Sequence, residues 1–158
     1  MTIHRRRGKF YDEMIIGDIF KHSPGRTITE TDNVLFTTLT MNSQSLHLDA
    51  EFAAKSEFGQ RLVNSLMTLA IVAGLSVGDT TEGTTVANLG FGEIKFPHPV
   101  FIGDTLYAET EIISKRPSKS RPNQGIVVLE HRALNQKGDN VCCAQRSALV
   151  RFSTDKDS

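Results

Sequence analysis

At 158 residues the chain is long enough for one domain that buries roughly two thirds of its extended surface. Hydrophobic residues make up 39% and charged residues 23%, which is ordinary globular usage and excludes a disordered or fibrous chain. Eighteen basic residues balance eighteen acidic ones, so no overall field recruits nucleic acid or an anionic membrane.

The first residues carry a basic run, Arg5-Arg6-Arg7, with no apolar h-region after it, so no secretory leader is expected. The run reads as part of a solvated tail over residues 1–16, with phosphate binding as the alternative. Phe20 and Ile28 flank a polar stretch predicted to be a first strand ending in a turn at Pro24-Gly25. Residues 29–41 are predicted helical: Thr29 is the N-cap, Asp32 sits favourably for the macrodipole, and Val34, Leu35 and Leu39 form an apolar stripe. A short helix is expected over 49–55, with Asp49 as its cap, and Phe58-Gly59 ends it.

Leu62, Val63, Leu66, Leu69, Ala70, Ala73 and Val77 then recur at helical spacing. A helix this apolar must be wrapped on most sides, yet its most apolar stretch is too short to span a bilayer. Gly78-Asp79 and the polar cluster to Gly83 end it. Strands are predicted over 84–96 and 105–113, linked by a turn region at 97–103. A long hairpin is predicted from 126–134 and 141–152, and residues 154–158 read as a tail. Cys142 and Cys143 are adjacent, so a strand points them to opposite faces. They form no bridge and no metal site, and they fit a reduced cytoplasm. One buried helix and about five strands argue an α+β domain with the sheet wrapped round the helix.

Three segments, in this order and spacing, resemble the MaoC-like hydratase/dehydratase family. The first is Asn42-Ser43-Gln44-Ser45-Leu46-His47-Leu48-Asp49. The family run is roughly Gly-Asp-x-Asn-Pro-(Leu/Ile)-His-x-Asp; Leu46, His47 and Asp49 are kept, while Asn42, Gln44 and Ser45 stand where the family has aspartate, asparagine and proline. The second runs from Phe58 to Thr68 and is similar to Phe-Gly-x-Arg-Ile-Val-His-Gly-Met-Leu-Thr. The third, Pro99 to Leu106, is close to Pro-Val-x-x-Gly-Asp-Thr-Leu. Ser118 to Val127 resembles a subgroup acting on branched dicarboxylic enoyl-CoAs such as mesaconyl-CoA or itaconyl-CoA. The resemblance implies a hotdog fold over 17–153, a homodimer or dimer of dimers, and a CoA site built across the dimer. It implies addition or removal of water on an acyl-CoA thioester with (R)-type stereochemistry, without metal or redox cofactor.

The same resemblance assigns roles. His47 is the expected catalytic acid–base group, since imidazole exchanges a proton near neutrality. Asn42 is expected to orient water, because a carboxamide hydrogen-bonds but cannot act as a general base. Asp49 is either a helix cap or a second acid. Gln44 is assigned to substrate binding, and the backbone N–H of Ser65, near a helix N-terminus, to the thioester carbonyl. Arg116, Lys119 and Arg121 form a basic turn, read either as a clamp for CoA phosphates or a substrate carboxylate, or as a solvated loop. His98, between two prolines, and Asp104 read as turn residues. No Gly-rich phosphate loop, His/Cys metal cluster or Ser-His-Asp order is present. A hotdog thioesterase and a non-catalytic acyl-CoA-binding subunit are the alternative functions.

Overall fold

A computed structural model describes residues 7–153. Arg5 and Arg6 of the basic run and the expected tail at 154–158 lie outside the described residues. Two short strands, β1 (Ile19–Lys21) and β2 (Arg26–Thr27), precede three helices: α1 (Glu30–Leu39), α2 (Ser45–Leu48) and α3 (Ala50–Ala54). The long helix α4 (Ser65–Thr80) follows, then β3 (Thr85–Lys95), β4 (Thr105–Pro117), β5 (Gln124–Leu134) and β6 (Asn140–Arg151). All pairings are antiparallel, in the order β1-β4-β5-β6-β3, with β2 also on β4. The inward faces of β4, β5 and β6 pack against α4, so the sheet wrapped round a helix is borne out. Among the described residues no helix is long and apolar enough to cross a membrane.

Local chemistry explains the helix ends. Thr29 and Asp32 close a capping box on α1: Asp32 N–H donates to Thr29 Oγ1 at 3.2 Å, and Thr29 N–H to Asp32 Oδ2 at 2.8 Å. At its other end, Asn42 N–H reaches Thr37 O at 3.0 Å and Met41 N–H reaches Thr38 O at 3.0 Å, a Schellman closure. Met41 therefore takes a left-handed φ of 54°, where glycine is the usual occupant. Asp49 caps α3 by accepting from Phe52 N–H at 2.9 Å.

Four expectations are corrected. Residues 7–16 are not a tail. Gly8 and Lys9 N–H groups donate to Glu82 O and Thr80 O, Phe10 and Tyr11 are buried, and Met14 is 0% exposed. Tyr11 lies so close to β5 that a Cβ on Gly125 would collide with its ring. Arg7 pairs with Glu13 through two hydrogen bonds, at 2.6 and 2.7 Å.

The segment at 97–104 does not join neighbouring strands. β3 and β4 lie at opposite ends of the β4-β5-β6-β3 order, and the link pairs on the way with the start of α4, through Val63 N–H to Val100 O at 2.9 Å. The expected stripe of α1 faces outward, with Leu35 and Leu39 exposed and Asn33 and Thr37 buried instead. Finally, α4 begins at Ser65 and runs on to Thr80, and buries Met67, Thr68, Val72, Ser76 and Thr80. Its Leu66 is 57% exposed in the single chain. The buried hydroxyls satisfy themselves on their own helix: Ser76 donates to Ala73 O at 2.7 Å and Thr80 to Ser76 O at 2.6 Å.

A buried polar chain ties the far end of α4 to the sheet. His22 Nδ1 lies 2.9 Å from Asp79 Oδ2, its Nε2 lies 2.8 Å from Thr110 Oγ1, and Thr110 Oγ1 lies 2.8 Å from His131 Nδ1. Cys142 is buried among β-strand neighbours, and burial pushes its thiol up to about 11; Cys143 points to the other face and is half-buried. Both are free.

Candidate active site

His47 sits in the single turn α2 and is half-buried. Its Nδ1 lies 2.9 Å from Leu62 O. A carbonyl only accepts, so Nδ1 carries the hydrogen and, in the neutral ring, Nε2 holds the basic lone pair. The acceptor is itself held in place. Asn33, fully buried on α1, donates from Nδ2 to Leu62 O at 3.2 Å and to His47 O at 3.3 Å. Its Oδ1 accepts from Asn64 N–H at 2.9 Å, and Asn64 caps α4 by accepting from Leu66 N–H at 3.1 Å. One side chain thus fixes the catalytic-candidate loop, the histidine's acceptor and the N-terminus of α4 together. No sequence period marks Asn33, because its partners lie 14 to 31 residues away.

His47 lines a cleft of about 360 Å³ together with Phe58, Leu62, Val63, Ser65 and Thr68. Phe96, Pro97, His98, Pro99, Val100 and Val141 complete the lining. The wall is largely apolar, and Ser65, the first residue of α4, stands in it. A helix N-terminus leaves its first N–H groups without intrahelical acceptors and favours negative charge. His98, read from sequence as a turn residue, also lines this cleft, and its Nδ1 lies 2.8 Å from Asn140 O. The same logic places its hydrogen on Nδ1 and, in the neutral ring, its lone pair on Nε2.

The other sequence candidates lie elsewhere. Asn42 is half-buried, and its Oδ1 accepts from Gln44 N–H at 3.0 Å, which closes a local turn; neither Asn42 nor Gln44 is in the cleft lining. Asp104 is a turn residue, accepting from Phe101 N–H at 2.8 Å. Arg116, Lys119 and Arg121 are exposed at the tip of the β4–β5 hairpin, where Pro117 pairs with Gly125. The cleft residue Val141 is at the opposite end of β5 and β6, so within one chain the basic turn stands roughly 30 Å away along the strands. Among the described residues no group of three or more His, Cys, Asp or Glu side chains is placed to hold a metal ion.

A family model described as MaoC like domain matches residues 13–133. The chain belongs to this family. Its architecture is the hotdog fold. A mesaconyl-CoA hydratase of Cereibacter sphaeroides is 33% identical over 144 residues, covering 91% of this chain and 41% of that protein. A β-methylmalyl-CoA dehydratase of Chloroflexus aurantiacus is 30% identical over 151 residues, covering 96% and 42%. The chain therefore spans about two fifths of the length of these curated relatives. Among solved structures, a monoamine oxidase regulatory protein from Archaeoglobus is 32% identical with a TM-score of 0.85, covering 96% of this MaoC-like chain and 99% of that one.

Proposed function

We propose that this MaoC-like domain hydrates a 2-enoyl-CoA thioester, or runs the reverse dehydration, with His47 as the base. The observation that carries the reading is the His47 ring, locked by Leu62 O so that Nε2 is its basic nitrogen, in an apolar cleft beside the first turn of α4. In hydration, water oxygen bonds to Cβ and gives a proton to Nε2. The π electrons move toward Cα and the thioester oxygen, where the Ser65 N–H and the α4 dipole stabilise the developing enolate. Cα then takes a proton. No net oxidation occurs, so the step needs no redox cofactor.

Both named relatives act on acyl groups that carry a second carboxylate, which supports a short dicarboxylic enoyl-CoA as substrate. Asn42, Gln44 and the basic turn keep supporting roles in this proposal: Asn42 and Gln44 shape the loop that presents His47, and Arg116, Lys119 and Arg121 serve CoA phosphates of a second copy's site. The alternative is a thioesterase, which would need a carboxylate or a serine aimed at the carbonyl; no carboxylate lines the cleft, and Ser65 is its serine.

We also infer a homodimer, in which Leu35, Leu39, Leu66, Leu89 and Phe91, exposed in the single chain, are apolar side chains available to the interface. Light scattering at the monomer mass would refute the dimer. The unpaired cysteines fit a reducing cytoplasm. The deciding assay offers purified protein crotonyl-CoA and mesaconyl-CoA. Loss of enoyl absorbance is expected. Release of free thiol would instead establish a thioesterase, and binding without turnover a non-catalytic subunit.

A further inference from the structure

Water addition needs two proton events, removal from water and delivery to Cα, and the hydratase reading names a residue only for the first. Asn42 cannot supply the second: a carboxamide does not transfer a proton near neutrality, and its oxygen is engaged with Gln44 N–H. Asp49 is engaged as the α3 cap. The cleft lining contains two titratable side chains, His47 and His98; its other members are apolar or hydroxyl-bearing.

We propose that His98 is the second proton carrier of this site, the acid that protonates Cα while His47 Nε2 takes the proton of the attacking water. The assignment rests on the hydratase reading of the same cleft. His98 is fixed by two features and open to solvent by a third. Pro97 and Pro99 restrict the backbone on either side of it. Its Nδ1–H is committed to Asn140 O at 2.8 Å on β6, which sets the ring's orientation. Its residue is exposed, so a proton spent in the cleft is reloaded from solvent.

With Nδ1–H held by a carbonyl, His98 donates from Nε2 only as imidazolium, whereas His47, held in the same way by Leu62 O, accepts only when neutral. The productive state is therefore one neutral and one charged ring. As the O–Cβ bond forms, a water O–H bond breaks toward His47 Nε2. The π pair becomes the Cα–H bond using the proton of His98 Nε2. The site ends with His47 charged and His98 neutral, and solvent exchange restores both. In dehydration the roles reverse: neutral His98 takes the Cα proton and charged His47 protonates the leaving hydroxyl. Atoms and charge balance without a co-reactant.

The groups that face His98 include no carboxylate in the cleft lining: Phe96, Pro97 and Pro99 flank it, Asn140 O accepts from it, and His47 is the other ionisable group in the lining. Two rings that must differ in charge give a bell-shaped rate profile belonging to the pair.

The test is the pH dependence of kcat for wild type and His98→Gln on one enoyl-CoA, with thermal melts to verify folding and His98→Asn as the second variant should glutamine disturb them. We expect kcat to fall on the order of 10²-fold, KM to change little, and the alkaline limb to vanish while the acidic limb of His47 remains. Exchange of the Cα hydrogen of the 3-hydroxyacyl-CoA with D₂O should be lost in parallel. A preserved bell with a raised KM would show that His98 only contacts the CoA, and unchanged kinetics would show no role; either overturns the assignment alone. A wild type that turns over no enoyl-CoA overturns the hydratase reading, and this assignment with it.

Discussion

Acid should unfold this protein through His131. The ring is 0% exposed on β5, bonded at Nδ1 to Thr110 Oγ1, with Nε2 unpartnered among the described residues. Burial is the main cause that drives its pKa down from 6.5 to about 3, with the Arg146 guanidinium and then His22 adding to it. The unfolded chain thus takes up a proton near pH 6.5, and the folded one does not until about pH 3. Acid therefore favours the unfolded chain, and the stability tied to this ring is full above pH 6.5 and lost as pH falls toward 3.

Each unit in that window costs about 1.4 kcal/mol, so lowering the pH from 6.5 to 5 removes about 2 kcal/mol. That is a large part of a typical margin of about 5–15 kcal/mol. Other groups titrate too, so the measurement is a difference: urea unfolding of wild type and His131→Asn at pH 7, 6 and 5. Asparagine keeps a hydrogen-bonding group for Thr110 but has no proton to gain. The variant starts weaker, and the gap should narrow by about 2 kcal/mol at pH 5. Parallel pH dependences, or a His131 NMR titration near pH 6.5 in the folded protein, would sink the reasoning.

Three further outcomes follow from the site. His47→Ala should lower turnover by at least about 10²-fold with the melting temperature little changed, since the ring is half-buried at the cleft; activity within a few-fold of wild type removes it as the base. Asn33→Leu should destabilise by about 2–4 kcal/mol, because it strands the His47 carbonyl and the Asn64 N–H and leaves Leu62 O with the His47 bond alone, and should slow turnover in whatever protein still folds; a stable, fully active variant contradicts its role in positioning Leu62 O. Arg121→Met should leave melting unchanged and, if the turn serves CoA phosphates, weaken crotonyl-CoA and mesaconyl-CoA equally in KM; a loss confined to mesaconyl-CoA would instead show pairing with the acyl carboxylate.

Much of the architecture was legible because local chemistry decides it. Thr29 and Asp32 announce the start of α1, Asp49 announces α3, and alternation along 126–134 and 141–152 announces the β5–β6 hairpin. The errors on the two helices share a cause. On α1 the apolar Leu35 and Leu39 face out because Asn33 and Thr37 make the inward hydrogen bonds, and on α4 hydroxyls that satisfy themselves occupy the buried face. Hydrophobic period counts side chains as inside when apolar, and has no means of seeing that a polar one has a partner waiting. Residues 7–16 were missed for a different reason: Met14 and Tyr11 find their cover on β5, more than a hundred positions away.

The site divides along the same line. The motif that makes His47 a candidate is local, spanning eight residues from Asn42 to Asp49. The signal that makes His98 a candidate is not local: Asn140 O, 42 residues on, holds its Nδ1, and the residue lines the same cleft as His47. Each imidazole is anchored at Nδ1 by a backbone carbonyl, so both rings present the same nitrogen and differ only in charge. With His47 as base and His98 as acid, as proposed, such a site does not turn over with both rings neutral or both protonated. On the two-histidine proposal, the rate follows the population that has one ring neutral and the other charged.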